Sequence, residues 1–490
     1  MSIASRAFLA LLLTVGFYLL ACGIAVGLVA AVVLEITVAH RVSARLDFFA
    51  LGGAAVILWS IVPRRARFVA PGPRIDLSAH PLLLEQLTEV SARVGERLPS
   101  EVYVDLQMNA GVLRRGGLLG IGSRRVIVLG LPLMQLLTVS EMRAVLAHEF
   151  GHYRGGDTAI GPWVYRTRES IVRTIQHVGR FSSLLHLPFR WYAILFLRIS
   201  QAVSRSQEFA ADRLAAAAVG ANAVASALSK LAEGDLALEV YWQREFVPVV
   251  NAGLRPPMVD GFAHFLGQQP IREQVHRIVS ERSATATPNP YDSHPATSDR
   301  IAALARLDAG PDRRGEPAAI TLLREVPGLE QAALQPLLRA DAPPLHALAW
   351  DQVGMLYVLP VWRGRLEEYG ALLGAATVVS LPALARDAPQ LGSRIADNGR
   401  FGGADGARQA GLQLLTAALG VALAAQGWIV ESQPGEPLAL CSGPTRFDPV
   451  EVVNDMIEGR MDDATWTSWC QEAGLSHVAL GAANAGPAYR

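Results

Sequence analysis

The sequence predicts a mostly helical α+β protein, and three observations lead to this fold class. The chain opens with a run of 28 residues, 7–34, that contains no charge. Apolar residues recur at helical spacing through most of the later segments. Two short stretches rich in β-branched residues, 102–106 and 123–129, interrupt that pattern as strands. We therefore expect an N-terminal membrane hairpin, a domain with a small sheet, and a helical C-terminal domain with a short β-hairpin.

The composition limits the possible partners. Lys+Arg and Asp+Glu are both 44, so the balanced charge argues against a nucleic-acid partner. Hydrophobic residues make up 51% of the chain and the mean hydropathy is +0.26, which points towards membrane lipid. The three cysteines include no CxxC pair, so a metal would have to be held by histidine and carboxylate.

The N-terminal 70 residues are predicted to form a membrane anchor. At 1.5 Å per residue, the run 7–34 would be roughly 42 Å long, which exceeds the ~30 Å hydrocarbon core. A second apolar run, 48–62, is shorter and is followed by Arg64, Arg65 and Arg67. These arginines place the following domain in the cytoplasm by the positive-inside rule. The prediction is a multi-pass protein of the cell (inner) membrane.

Two other interpretations of the N-terminus compete with this hairpin. A cleaved signal peptide would need a shorter apolar core. The sequence LLAC at residues 19–22 is similar to a lipoprotein cleavage box, but apolar residues continue for twelve positions after Cys22. We favour the uncleaved hairpin over a lone anchor or a lipoprotein.

The next predicted domain spans residues 71–308 and begins after a Pro-Gly-Pro linker. A helix is predicted over 80–98, followed by the strand 102–106. Asn109 and Ala110 come next, at a turn or a strand edge, and an ordinary turn is the simpler interpretation of their spacing.

The most informative stretch is HEFGH, from His148 to His152, inside a segment with helical periodicity. Residues i and i+4 of a helix share one face, so His148 and His152 can bind one metal ion. Glu149 projects beside them, where it can accept a proton from a metal-activated water. The alternative is a chance pentapeptide in which both histidines merely pack or cap.

A second stretch, SRSQEFAAD, supplies carboxylates at the same helical spacing. Glu208 from a second helix would complete three protein ligands and leave one position open for water. Asp212, one turn further on, can accept the remaining N–H of a ligand histidine. Alone, this stretch would be a solvated helix face; after HEFGH it indicates a zinc site with one ion per chain.

A third stretch, YDSHPATSDRIAAL, contains His294 and Arg300. His294 precedes Pro295 and lies just before a predicted helix, where it could donate to an oxyanion. A surface histidine is the simpler interpretation of its spacing.

A separate apolar segment, 184–199, predicts either a helix on the membrane surface or a helix buried in the domain.

These three motifs, in this order behind apolar N-terminal segments, resemble the HtpX-like and CAAX prenyl protease family of membrane zinc metallopeptidases. The resemblance covers about residues 71–304. It implies His148, His152 and Glu208 as zinc ligands, Glu149 as the base and Asp212 as the partner of a ligand. It also implies that His294 and Arg300 contact the transition state or substrate, and that Asn109 and Ala110 belong to a substrate-binding edge strand.

The resulting prediction is a membrane-anchored zinc metalloendopeptidase that hydrolyses membrane or misfolded proteins. The rival is a catalytically silent membrane scaffold that keeps a structural zinc and acts through residues 309–490. In that third domain we expect a buried helix within 412–426, a hairpin over 428–441 and two helices over 448–474. The sequence does not indicate its role.

Overall fold

The computed structural model describes residues 3–40, 42–62, 68–116, 124–154, 157–285, 294–311, 315–339, 341–396 and 403–481. Most of these residues are helical, as predicted. The helices are α1 (Ile3–Thr37), α2 (Ala44–Ile61), α3 (Pro81–Val94), α4 (Leu131–Leu136), α5 (Val139–Arg154), α6 (Asp157–Phe181), α7 (Leu187–Val219), α8 (Ala221–Tyr241), α9 (Val247–Asn251), α10 (Met258–Gly267), α11 (Gln269–Thr285), α12 (Thr297–Leu304), α13 (Val326–Leu334), α14 (Leu359–Tyr369), α15 (Leu381–Arg386), α16 (Ala388–Ala396), α17 (Gly403–Ala424), α18 (Pro449–Ile457) and α19 (Asp463–Glu472).

The strands form three small sheets. They are β1 (Arg74–Ile75), β2 (Glu101–Asp105), β3 (Ala110–Arg115), β4 (Arg124–Gly130), β5 (Leu254–Arg255), β6 (His346–Ala347), β7 (Ile429–Glu431), β8 (Ala439–Ser442) and β9 (Thr445–Phe447). The first sheet has the order β1-β2-β4-β3, with β2 parallel to β4 and β3 antiparallel to it. β3 is therefore an edge strand. The predicted C-terminal hairpin is present as β7 and β8, and β9 adds a third strand.

The chain divides into two compact units: one contains residues 1–235 and 279–338, the other 236–278 and 339–490. The first unit holds all the predicted site residues. The boundaries predicted at 70 and 308 stay predictions.

Within the first unit, α1, α2, α6 and the first half of α7 pack side by side. Their shared core contains fully buried apolar side chains from each helix: Phe17, Ile57, Val178, Phe189 and Phe196. Two adjacent glycines of α2 allow α6 to approach, since a Cβ at Gly52 would lie 3.1 Å from the Phe181 ring. Among the described residues, Leu11–Thr37 and Ala44–Ile61 are long and apolar enough to cross a membrane. The arginines at 64, 65 and 67 lie outside the described residues.

The segment 184–199 belongs mostly to α7 and is buried on one side only. Phe189 and Phe196 face the helical core, and the Tyr192 hydroxyl donates to the backbone oxygen of Leu13 at 2.5 Å. Trp191 and Leu195 lie on an exposed side of the same helix. Both interpretations made from the sequence are therefore compatible with this segment, and membrane contact stays a prediction.

The second unit has its own core, built around α17. Leu414, Leu415, Ala418 and Leu419 are fully buried, which agrees with the buried helix expected at 412–426. Gly420 has no side chain because its Cβ would lie 2.1 Å from the Trp362 ring. The two helices predicted over 448–474 are α18 and α19.

Candidate metal centre

Two helices of the first unit bring the predicted metal ligands together. α5 carries His148, Glu149 and His152, while α7 carries Glu208. The helices pack closely because residue 151 is glycine: a Cβ there would lie 3.1 Å from Cα of Ala211. This close approach lets a carboxylate on α7 reach both histidines on α5.

The ligand atoms of His148, His152 and Glu208 all lie within 4.8 Å of one another. The two Nε2 atoms are 3.1 Å apart, and they lie 3.5 and 3.6 Å from the Glu208 carboxylate oxygens. Oε2 of Glu208 is buried and, in the described part of the chain, makes no hydrogen bond of good geometry. Two imidazoles and one carboxylate are the donor set of a catalytic zinc ion. The residues present therefore fit zinc.

The carboxylate of Asp212 lies on the other side of the His148 ring, where the sequence predicted a partner for this histidine. Its Oδ1 lies 3.0 Å from Nδ1 of His148. Such a partner fixes the imidazole tautomer, so that Nε2 is directed at the metal position. Burial lowers the pKa of His148, but Asp212 and Glu208 outweigh it and raise that pKa to about 9.

Arg300, on α12, contacts both acidic residues of the centre. Its Nε and Nη2 donate to Asp212 at 2.8 and 2.6 Å, and its Nη1 lies 3.2 Å from Oε2 of Glu208. Burial raises the pKa of Asp212, while the Arg300 hydrogen bonds and His148 give a net lowering. The pKa of Glu208 is also lowered on balance, by His148 and His294 against burial. Both carboxylates are thus held in the charged form.

His294 reaches the centre from the loop before α12. Its Nδ1 lies 3.0 Å from Oε1 of Glu208, although 68% of its side chain is exposed. The hydrogen bond with Glu208 raises the pKa of His294 against a smaller opposing effect of burial. The structure therefore places both His294 and Arg300 in contact with Glu208, the predicted third ligand.

Glu149 lies beside the ligands and next to the edge strand β3. The backbone N–H of Val112 donates to its carboxylate, and burial raises its pKa. A raised pKa brings a carboxylate closer to the range suited to a general base. The base position predicted from HEFGH is therefore geometrically available.

The edge strand β3 directs backbone groups towards the same site. The Asn109 carbonyl accepts from the Gly130 N–H, so in this antiparallel pair Ala110 and Val112 direct their backbone groups away from β4. Asn109 and Ala110 line the same cavity as Glu149 and Glu208. From the sequence, Asn109 could have belonged to a turn or to a strand edge. In the structure the strand begins at Ala110, directly after Asn109.

Sequence reasoning missed the apolar side of this cavity. Val224, Ala227, Leu228 and Leu231 of α8 line it. Their helical spacing is visible in the sequence, but an apolar stripe does not indicate which partner it faces.

Sequence reasoning also missed a capping-box pattern, Thr138-x-x-Glu141. The backbone N–H of Thr138 donates to the Glu141 carboxylate at 2.8 Å, where α5 begins.

A helix that carries two histidines and a glutamate, joined by a carboxylate from a second helix, defines a candidate metallopeptidase site. Residues 102–308 match the model of peptidase family M48, the family of HtpX-like and CAAX-protease-like zinc metallopeptidases. The match confirms the resemblance seen in the motifs and supports a metallopeptidase. No solved structure matches the chain significantly.

Proposed function

We propose that the protein is a membrane-anchored, zinc-dependent endopeptidase. The observation that carries the proposal is the group formed by His148, His152 and Glu208, with Glu149 beside it in a cavity that an edge strand borders. A purely structural zinc site would have four protein ligands and no use for a base. This arrangement supports catalysis over the scaffold interpretation.

The roles of the side chains follow from their positions. The chemistry that a bound zinc ion supplies is a lowered pKa for water and a polarised carbonyl. Glu149 takes the proton of the attacking water and passes it to the leaving amide nitrogen. His294 lines the cavity and can donate a hydrogen bond to the developing oxyanion.

Substrate would enter as an extended peptide along β3. The backbone groups of Ala110 and the carbonyl of Val112 are directed to the open edge and can pair with a peptide backbone, whereas the Val112 N–H already donates to Glu149. This pairing is independent of side chains, so it suits unfolded segments of membrane or misfolded proteins. Asn109, at the start of the strand, lies where the peptide would pass the metal.

The membrane anchor is α1 with α2, and the metal centre faces the cytoplasm. The exposed apolar side chains of α7, among them Trp191 and Leu195, support lipid contact next to this hairpin. The orientation is tested after Cys22, Cys441 and Cys470 have been replaced by serine. In this background, Glu85→Cys should react with a membrane-impermeant maleimide only in inverted vesicles. Labelling from the outside of intact cells would contradict the orientation.

The function is tested with the full chain in detergent. Metal content is measured by atomic emission, and cleavage of casein is followed with and without a chelator. About one zinc per chain, with cleavage lost on chelation and restored by zinc, is the expected result. Bound zinc without cleavage of any unfolded protein would favour the scaffold.

A further inference from the structure

We propose that a groove between α2 and α6 binds one anionic phospholipid, such as phosphatidylglycerol, from the cytoplasmic leaflet of the membrane. The groove has a volume of about 640 Å³ and is lined by side chains of both helices: Ala55, Val56, Trp59, His177, Arg180 and Phe181. This inference rests on the proposed membrane anchor and its orientation, and it assigns a lipid site beside that anchor.

The helices α2 and α6 run in opposite directions past this groove. The Ser60 hydroxyl, near the end of α2, lies 3.1 Å from Nδ1 of His177, whereas the Phe181 ring lies 3.1 Å from the position of a Cβ on Gly52. At 1.5 Å per residue, Gly52 is roughly 14 Å from the end of α2. In the proposed anchor that end lies at the cytoplasmic surface. The last turns of α6 are therefore beside the cytoplasmic half of the ~30 Å hydrocarbon core.

Arg180 supplies the positive charge of the groove. It is exposed and forms no ion pair with any residue that the structure describes, and none of the described residues lining the groove is acidic. Side chains of a helix tilt towards its N-terminus. The side chain of Arg180 is thus directed back towards the membrane surface, where it can reach a lipid phosphate and bind it by two parallel hydrogen bonds.

Two further side chains of the groove suit a lipid headgroup. The Ser60 hydroxyl donates to the backbone oxygen of Val56 at 2.7 Å, so it accepts from Nδ1 of His177, which therefore carries a hydrogen. In a neutral imidazole this leaves Nε2 as an acceptor for a headgroup hydroxyl. Trp59 is 67% exposed close to the end of α2, and tryptophan is enriched at membrane–water interfaces.

Apolar surface continues from the polar end of the groove towards the middle of α2. The Phe181 ring packs against Phe49 with the ring centroids 5.4 Å apart, and Phe49 is 54% exposed. Along the helix axis, Phe49 lies roughly 9 Å from Ala55. A ligand with a charged head and an apolar tail matches both parts of this surface, whereas a free phosphate would contact only the first.

The charge of α6 favours an anionic lipid over a zwitterionic one. Residues 166–181 contain four arginines and one glutamate. Basic pockets between membrane helices on the cytoplasmic side bind anionic headgroups, and each arginine or lysine near the surface contributes about 1 kcal/mol. The groove therefore combines a phosphate-binding arginine, a positive surrounding and an apolar track.

The first test measures lipid binding to the full chain in detergent by native mass spectrometry. Wild type should bind one dioleoylphosphatidylglycerol roughly fivefold more tightly than dioleoylphosphatidylcholine. Arg180→Gln loses a charge-assisted hydrogen bond and should weaken binding of phosphatidylglycerol by roughly tenfold. Arg190→Gln is the matched control and should bind as wild type does, since Arg190 is exposed on α7 and does not line the groove.

A second pair of variants tests the apolar part of the groove. Ala55 is exposed, so Ala55→Trp can be accommodated; it fills the groove and should weaken binding of phosphatidylglycerol by roughly tenfold. Leu58→Trp is the control, because Leu58 is exposed on the same helix and does not line the groove. Millimolar inorganic phosphate should leave the lipid bound. Displacement of the lipid by phosphate would overturn the lipid site in favour of a simple phosphate site.

Carbonate extraction of membranes separates this inference from the proposed anchor. Suppose that the chain stays in the membrane, but phosphatidylglycerol and phosphatidylcholine bind equally, or Arg180→Gln and Ala55→Trp both bind as wild type does. Either result would overturn the lipid site and leave the anchor intact. A chain released by carbonate would lack the anchor, and the lipid site would be overturned with it.

Discussion

The guanidinium of Arg300 holds the carboxylate of Asp212 by two hydrogen bonds, at 2.8 and 2.6 Å. Asp212 in turn lies 3.0 Å from Nδ1 of His148. Arg300 is therefore placed to support, through Asp212, the orientation of His148, which we propose to be a metal ligand. The motifs alone implied a contact with substrate instead, and the two roles predict different measurements.

Arg300→Lys keeps the positive charge but loses the planar fork that binds both oxygens of Asp212. We expect zinc affinity to fall by about 10- to 100-fold, as for other residues that support ligand orientation. Competition with a fluorescent chelator measures this affinity, and the exposed Arg306→Lys is the control. Unchanged zinc affinity together with a raised KM would favour direct substrate contact.

Glu208→Ala removes the ligand that we propose α7 contributes, so two histidines remain. Zinc should be lost on dialysis from this variant and retained by the control Glu85→Ala, in which an exposed glutamate is removed. Metal content per chain after dialysis gives the answer. A variant that still held one zinc with wild-type affinity would exclude Glu208 as the third ligand.

His294→Phe removes a donor that faces the cavity but leaves the three ligands in place. A lost oxyanion donor costs about 10²–10³ in kcat, so kcat should fall far more than zinc affinity. Casein turnover and metal content are measured on the same sample, with the exposed His346→Phe as control. If zinc affinity fell in parallel with turnover, the contact between His294 and Glu208 would be the main role of His294.

Glu141 should make stability depend on pH. Although burial raises its pKa, hydrogen bonds from Lys230, Ser226 and Thr138 lower that pKa below 4.5 on balance. A carboxylate whose pKa is lower in the folded state than in the unfolded state stabilises the fold at pH values above its unfolded-state pKa. This contribution is lost as the pH falls through the folded-state pKa. Glu141→Gln should therefore lower the free energy of unfolding at pH 7 by about 1–3 kcal/mol, and Tm should fall with it.

The difference in Tm between wild type and Glu141→Gln should narrow as the pH drops below about 4.5, the ordinary value for glutamate. Tryptophan fluorescence during heating measures Tm, and Glu85→Gln is the exposed control. If the difference in Tm between wild type and Glu141→Gln were the same at pH 7 and at pH 4, the substitution would act through packing and not through the charge of Glu141.

The sequence predicted the features that depend on local spacing. His148 and His152 share a helix face whatever the rest of the fold does, and the i, i+4 relation also places Asp212 beside Glu208. The two N-terminal helices follow from long apolar runs. The hairpin of β7 and β8 was predicted from its pattern of two strands around a turn, whereas β9 of the same sheet was missed.

Features that depend on tertiary packing could not be predicted in this way. The hydrogen bonds of Arg300 span 88 residues of sequence, and nothing in SDRIAAL indicates that Asp212 is their acceptor. The apolar side of the cavity, on α8, is an ordinary apolar stripe until α5 is placed beside it. For His294 and Asn109, spacing alone favoured surface and turn positions, whereas the fold brings both to the cavity.

We propose that Glu149 is the base of a zinc-dependent hydrolysis, and one comparison tests this directly. Wild type and Glu149→Gln are purified in detergent, their zinc contents are matched, and casein cleavage is followed for both with and without chelator. We expect equal zinc and chelator-sensitive cleavage in wild type alone. Cleavage by Glu149→Gln at the wild-type rate would contradict the claim.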